Sequence, residues 1–287
     1  MRKNCCSVCF SHRQAVTLLT IYEHSYYMST VIYPSPIYGP VHSRRLGLSL
    51  GINLMPADGK ICTFDCIYCE CGYNHDHRTH SSHPTPETVA EALELQLKKM
   101  HLAGEHPDVL TFAGNGEPTS HPQFPQIIDD TIRLRNQYCR EAKISVLSNS
   151  TFIHHPSIRE ALLRVDNNIL KLDTINASYI KKVDRPTQPS YDVDRIINDM
   201  KAFHGKLTIQ TMFMKGQTDN GEDVDNTSDE YVKPWLDAVL DIQPCEVMIY
   251  TIDRETPDSH LLKATPEQLN AIRDRVIATG IPCTASY

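Results

Sequence analysis

From residue 46 onward the chain repeats one pattern: an apolar run of strand length, a short polar connection, then a segment with apolar residues at helical spacing. The apolar runs are "LGLSLGINL" (46–54), "DVLTFAG" (108–114), "KISVLSNS" (143–150), "NILKLDT" (168–174), "KLTIQTMFMKG" (206–216) and "CEVMIYTID" (245–253). Amphipathic segments at 85–100, 124–139, 156–165, 191–205, 229–242 and 265–280 follow them. In the first of these, Thr85 suits an N-cap, Pro86 the first turn, and Val89, Leu93, Leu97 and Met100 share one face. Nearly continuous apolar strands alternating with helices mean a parallel sheet with crossovers. Six such units predict an α/β fold, a partial (β/α)6 TIM-like barrel with parallel strands; an open doubly wound sheet is the alternative. In either architecture ligands meet the loops that follow the strand C-termini. The unusual residues all fall there: a cysteine loop after the first strand, "GNGEP" (114–118) after the second, "SNST" (148–151) after the third.

The cysteine loop, "KICTFDCIYCECG" (60–72), holds four of the chain's ten cysteines. No stretch approaches the roughly 20 apolar residues that cross a bilayer, and "QAVTLLTIYEHSYYM" (14–28), interrupted by a Glu and a His and without a small-residue cleavage site, is not read as a secretory leader. A cytoplasmic location without membrane attachment is the expectation, and there thiols stay reduced and clustered cysteines point to metal or catalysis. Cys62, Cys66 and Cys69 form C-x-x-x-C-x-x-C, a spacing with which a short loop can wrap three irons of a cubane and leave the fourth open. A zinc site with Cys71 as fourth ligand is the other metal reading, although one residue between Cys69 and Cys71 is an awkward bite for tetrahedral sulfur. Residues 1–27 are cysteine-dense and basic and fit no strand–helix unit, so they read as a disordered or mis-assigned extension. A single core domain is expected over 28–287, with a metal at Cys5, Cys6 and Cys9 as the alternative for the extension. The histidines of "HDHRTHSSH" (75–83) read as a solvated loop, and Cys139, Cys245 and Cys283 as small core residues.

C-x-x-x-C-x-aromatic-C after the first strand, with Tyr68 as the aromatic, resembles the radical S-adenosylmethionine (radical SAM) superfamily. The resemblance covers roughly residues 40–255. It implies a [4Fe–4S] cluster on Cys62, Cys66 and Cys69, whose open iron is chelated by the methionyl group of S-adenosylmethionine. It implies that Tyr68 packs near the adenine, and that Gly114, Asn115, Gly116 and Glu117 bind the cofactor's ammonium through backbone and carboxylate. The residues themselves suit this: glycine lets backbone approach a ligand, and a carboxylate pairs with a cationic amine. By position, Ser148 and Asn149 are candidates for the methionyl carboxylate or ribose, Asp173 for the ribose hydroxyls, and Gln210 for the adenosine. "SRRLG" (43–47) and "DRP" (184–186) are similar to a subgroup of iron–sulfur oxidoreductases related to the wybutosine-synthesising tRNA enzymes.

The activity implied is reductive cleavage of the cofactor to a 5′-deoxyadenosyl radical that takes hydrogen from RNA, a small metabolite or a partner-enzyme glycine. An external one-electron donor of flavodoxin or ferredoxin type would be needed. A net charge of −7 does not favour tRNA as the substrate. The reading from a different class is a zinc- or iron-binding regulatory protein without turnover.

Overall fold

A computed structural model describes residues 30–43 and 46–287. The expected extension with Cys5, Cys6 and Cys9, and the Arg44–Arg45 part of the lead-in, lie outside the described residues. Strands β1 (Ile37–Ser43) and β2 (Gly47–Ile52) open the fold, followed by helix α1 (Pro86–Leu102), β3 (Val109–Phe112) and α2 (Phe124–Tyr138). Then come β4 (Lys143–Ser148), α3 (Pro156–Leu162), β5 (Asn167–Lys171), α4 (Ala177–Val183) and α5 (Val193–Lys201). The chain continues through β6 (Thr208–Met212), β7 (Met214–Gly216), α6 (Asp229–Ile242) and β8 (Glu246–Tyr250), and closes with β9 (Leu261–Lys263), α7 (Pro266–Ile277) and β10 (Cys283–Ser286).

Eight strands form one sheet in the order β1-β2-β3-β4-β5-β6-β8-β10. From β2 to β10 every pairing is parallel, and β1 runs antiparallel at the edge. β1 and β10 do not pair with each other, so the curled sheet is a half-barrel, as the six-unit pattern predicts. All four residues of β3 are buried, which is why its sequence is apolar without alternation. α1 begins as its sequence anticipates: the Thr85 side chain accepts from the Thr88 amide, and Val89, Leu93, Leu97 and Met100 are buried. Helix α6 buries Trp235, whose indole N–H donates to the Leu172 carbonyl at 3.0 Å and to Thr211 Oγ1 at 3.1 Å.

Three local departures from the sequence reading have physical causes. The run 206–216 divides at Phe213, because Met214 N bonds to Asn226 Oδ1 at 2.9 Å and β7 leaves the sheet to pair with β9. The closing "IPCTASY" contributes β10 beside β8, a strand too short to stand out in the pattern. A separate short helix, α4, precedes α5; Asn176 caps it by accepting from the Ser178 and Tyr179 amides. Cys139 and Cys283 are buried as expected, but Cys245 is exposed, because it lies in the turn between α6 and β8 rather than on the strand. No helix among the described residues is long and apolar enough to cross a membrane.

The main core fills the space between sheet and helices. A second, smaller cluster gathers Ile67, Tyr179, Val183, Met212, Val224 and Ile252, with Tyr68, Tyr73 and Tyr250 packed against it. It joins the cysteine loop to the strand ends beneath it.

Candidate active site

The segment between β2 and α1 carries the cysteines and is sewn to the barrel along two seams. On one side Ile61 bridges Gly116: the Ile61 amide donates to the Asn115 carbonyl at 2.9 Å, and the Glu117 amide to the Ile61 carbonyl at 3.2 Å. Gly116 has φ +144°, and a Cβ there would sit 1.7 Å from the Ile61 oxygen, so this contact requires glycine. On the other side the loop meets the chain after α4. The Ile67 amide donates to the Val183 carbonyl (3.0 Å), Asp65 to Asp184 (3.0 Å), and Thr187 to Thr63 (2.8 Å). Cys62, Cys66 and Cys69 are carried between these seams as free, partly exposed thiols. Cys71 is buried, and its thiol donates to the Gly114 carbonyl at 3.4 Å.

The residues after β3 and β4 converge on this loop. Glu117 is 2 % exposed. Its Oε1 accepts from the Thr119 amide (3.0 Å), the Thr119 hydroxyl and the Ser148 hydroxyl (2.9 Å), and its Oε2 from the Asn149 amide (2.6 Å). Burial pushes its pKa up, and the bonds from Thr119, Asn149 and Ser148 only partly offset that. One lone pair of Oε2 is left for a further donor. Asn149 Nδ2 donates to Thr63 Oγ1 at 2.8 Å and reaches Cys62 Sγ at 3.6 Å, so the end of β4 touches the first cysteine directly. The Asn115 side chain is turned the other way. It accepts from the Tyr33 amide (2.7 Å) and donates to the Tyr33 and Pro56 carbonyls (2.9 and 3.0 Å). Its role is to clamp the segment before β1 against the loop, and Gly114 passes close to Asn53 in the same knot.

Tyr68 belongs to a buried charge network below the loop. Its hydroxyl donates to Asp173 Oδ2 and accepts from Lys171 Nζ, which also pairs with Asp173 and, at 2.9 Å, with Asp184 Oδ1. Asp173 Oδ1 accepts from the Met212 amide at 2.9 Å, and Cys66 Sγ points at Asp184 Oδ1 from 4.0 Å. Lys171 and Asp184 escape a motif-based reading. The signal for Lys171 is a cation inside the apolar strand "NILKLDT"; for Asp184 it is only a place in "DRP". Lys60 is also missed: it is 4 % exposed, its Nζ donates to the Gly72 carbonyl at the end of the cysteine loop, and its charge acts on the three thiols.

Gln210, Tyr68 and Cys69 line one cavity of about 310 Å³ with Leu147, Met212 and Tyr250. It opens at the C-terminal ends of β4, β6 and β8, where the parallel fold directs ligands. Arg254 and Glu70 line its wall and join there, Nη1 to Oε2 at 2.7 Å, with the Tyr33 hydroxyl bonded to both. Glu117, Ser148, Asn149 and Asp173 lie outside this lining, although Asp173 touches it through the Tyr68 hydroxyl and the Met212 amide.

Among the described residues no three His, Cys, Asp or Glu side chains gather closely enough to hold a single metal ion. A cubane makes a different demand, since its thiolates bind three separate irons. Burial pushes the Cys62 thiol up to about 12 and raises Cys66, while the adjacent Cys71 side chain, helped by the Lys60 charge, holds Cys69 at about 6. Three thiols, a buried ammonium whose charge acts on them and an adjoining cavity fit a thiolate-bound, anionic cluster with an open iron.

A family model described as the Radical SAM superfamily matches residues 58–229. Among curated proteins the chain is similar to GTPase Obg of Brachyspira hyodysenteriae (27% identical over 237 residues, 81% of this chain and 32% of the relative). It is also similar to a UPF0026 protein of Helicobacter pylori strain J99 (29% over 222 residues, 76% of this chain and 66% of the relative). The chain thus spans about a third of the first relative and just under two thirds of the second. Among solved structures it resembles a radical SAM methyltransferase from Sphaerobacter thermophilus, with TM-score 0.61, 16% identity, and coverage of 83% of this chain and 66% of that one. It also resembles TYW1 with a lysine-pyruvate adduct bound, with TM-score 0.55, 12% identity, and coverage of 80% and 73%. At these identities the structural likeness speaks for the fold.

Proposed function

The chain belongs to the radical SAM superfamily, and from that premise we propose which of its residues run the chemistry and what kind of molecule they act on. It is an enzyme of the radical SAM type, with a [4Fe–4S] cluster and S-adenosylmethionine as its cofactors. This membership favours turnover over a metal-binding regulator. When bound, the cofactor pair supplies one-electron cleavage of the sulfonium to methionine and a 5′-deoxyadenosyl radical.

In our assignment Cys62, Cys66 and Cys69 hold three irons, and Cys71 is a neighbour rather than a ligand. Glu117 takes the cofactor's ammonium on the open lone pair of Oε2, a charge-assisted bond in a water-poor site. Ser148 and Asn149 aim that carboxylate and steady Cys62. Gly114 and Gly116 bring the backbone close enough for the bridge to Ile61, and the Asn115 side chain locks that bridge to the segment before β1. Tyr68 and Gln210 border the adenosine, and Asp173 acts on it through the Tyr68 hydroxyl.

The substrate then enters the cavity beside Cys69 from the Arg254 side and loses a hydrogen atom there. The observation that carries this reading is the set of three free cysteines sewn between the loop after β3 and the chain after α4, with that cavity against the third. RNA, a small metabolite or a glycine of a partner enzyme are the substrate classes, and a flavodoxin- or ferredoxin-type protein is the electron donor. "SRRLG" and "DRP", with the fold likeness to TYW1, favour the subgroup related to wybutosine synthesis. The charge of −7 weighs against tRNA within it.

The test is anaerobic reconstitution with iron, sulfide, a one-electron reductant and S-adenosylmethionine, with RNA and small-metabolite fractions supplied separately. Release of 5′-deoxyadenosine, raised by one fraction, is expected. A reconstituted protein that never cleaves the cofactor would defeat the reading.

A further inference from the structure

Two lysines pack against the cysteine loop, Lys60 buried and Lys171 largely so, and they are held in different ways. Lys171 sits between Asp173 and Asp184, so its charge is already more than matched. The Lys60 side chain is 1 % exposed, and among the described residues its one ion-pair partner is Asp65 Oδ1, at 3.9 Å. That oxygen also accepts from the Asn74 amide at 2.7 Å, which is the shorter contact. Lys60 Nζ donates to the Gly72 carbonyl at 2.5 Å, tying the start of the cysteine loop to its end. The Gly72 amide in turn donates to the Cys69 carbonyl at 2.9 Å, so Nζ lies against the turn that carries the third cysteine, and its charge also acts on Cys62 and Cys66. The lysine cannot swing outward easily. Its own amide is bonded to the His77 carbonyl at 2.9 Å, and the next residue forms the bridge to Gly116.

Burial of charge persists only where an opposite charge answers it, and in the cluster-free chain Asp65 and the Cys69 thiol supply that answer. Once the thiols hold their group, the anionic group itself becomes the charge that Lys60 faces. Resting on the assignment of the cluster to Cys62, Cys66 and Cys69, we propose that Lys60 is the fixed counter-charge of that cluster. It is a positioning residue that steadies the loop and raises the cluster's reduction potential. The reduced cluster carries one more negative charge than the oxidised one. A cation held beside it in a low-dielectric site therefore favours the reduced form. Lys171 exerts no such net pull, because Asp173 and Asp184 surround it.

The experiment uses the full chain and its Lys60→Gln, Lys60→Arg and Cys66→Ala variants, reconstituted anaerobically without S-adenosylmethionine. Iron per chain is counted, and the cluster is titrated potentiometrically by electron paramagnetic resonance. Lys60→Gln is expected to disfavour one-electron reduction at least tenfold, about 59 mV, while Lys60→Arg, which keeps the charge, stays near wild type. Equal potentials for wild type and Lys60→Gln would overturn the inference, as would equal shifts in Lys60→Gln and Lys60→Arg. If Lys60→Gln takes up no iron, uptake by Lys60→Arg supports a charge role, and failure of both overturns it. A cluster retained in Cys66→Ala would instead defeat the cluster assignment, and this inference with it.

Discussion

Glu117 is a single carboxylate that pins the fold and that we assign to the cofactor as well. Its oxygens accept from Thr119, Ser148 and Asn149, which pins the end of β4 to the loop after β3. Burial raises its pKa, so in the cofactor-free protein it is protonated at a higher pH than in the unfolded chain. Its contribution to stability therefore falls as pH rises from the ordinary carboxylate value through the raised one. Cofactor binding should run the opposite way, because only the anion pairs with an ammonium. Affinity for S-adenosylmethionine is expected to strengthen as pH rises through the raised pKa in wild type and to lose that slope in Glu117→Gln. Glu117→Ala removes a charged hydrogen bond of about 1.5–3 kcal/mol. It should keep its iron yet bind the cofactor about ten- to a hundred-fold more weakly. At the cysteines, iron counts should fall in Cys62→Ala, Cys66→Ala and Cys69→Ala but persist in Cys71→Ala, whose thiol already serves the Gly114 carbonyl. Loss in Cys71→Ala with retention in Cys66→Ala would reverse the assignment.

Between elements, two joints hold the cysteine loop in place. One is the bridge of Ile61 to Gly116, where the close approach leaves no room for a Cβ. Gly116→Ala must open it, at a cost of about 1–3 kcal/mol in backbone strain. Its melting temperature and its iron per chain should both drop, whereas Gly104→Ala, in open space with φ +71°, should lower the melting temperature alone. The other joint couples β5, α4 and the loop through Lys171, Asp173, Asp184 and Tyr68. Lys171→Met leaves two buried carboxylates without their cation, and breaking such a pair costs about 3–5 kcal/mol. Denaturant unfolding should register that loss, and adding Asp184→Asn to the variant should recover part of it. A Lys171→Met protein as stable as wild type would show that the network is not held by charge.

Across the whole molecule, the half-barrel and the cysteine loop rest on different foundations. The main core packs helices α1 to α7 against the sheet, while the loop relies on its two seams and the small cluster around Ile67 and Tyr179. Removing iron by anaerobic chelation should therefore leave far-UV circular dichroism nearly unchanged. Limited proteolysis should then speed up within 73–83, where Asp76, Arg78, Ser81 and Ser82 include exposed positions. Equal cleavage with and without iron would mean that the loop is fully held by protein contacts alone.

The parallel sheet, its crossover helices and the clustering of special residues at the strand C-termini follow from the sequence by itself. Apolar periodicity and cap chemistry are local properties, and Thr85, Val89 and Leu93 display them within a few residues. Gly116 stood out in the sequence as a glycine for close approach to a ligand, whereas in the structure the group that comes close is the Ile61 carbonyl. Partnerships were another matter. Tyr68 and Asp173 are 105 residues apart, Ser148 and Glu117 are 31 apart, and Asn115 reaches back 82 residues to Tyr33. No spacing rule connects such positions, because a side chain's hydrogen-bond partners are set by which strand ends the fold brings together. The same holds for Lys60 and Lys171. In the sequence both are lysines beside apolar residues, and only burial against thiols in one case and carboxylates in the other gives them different electrostatic roles.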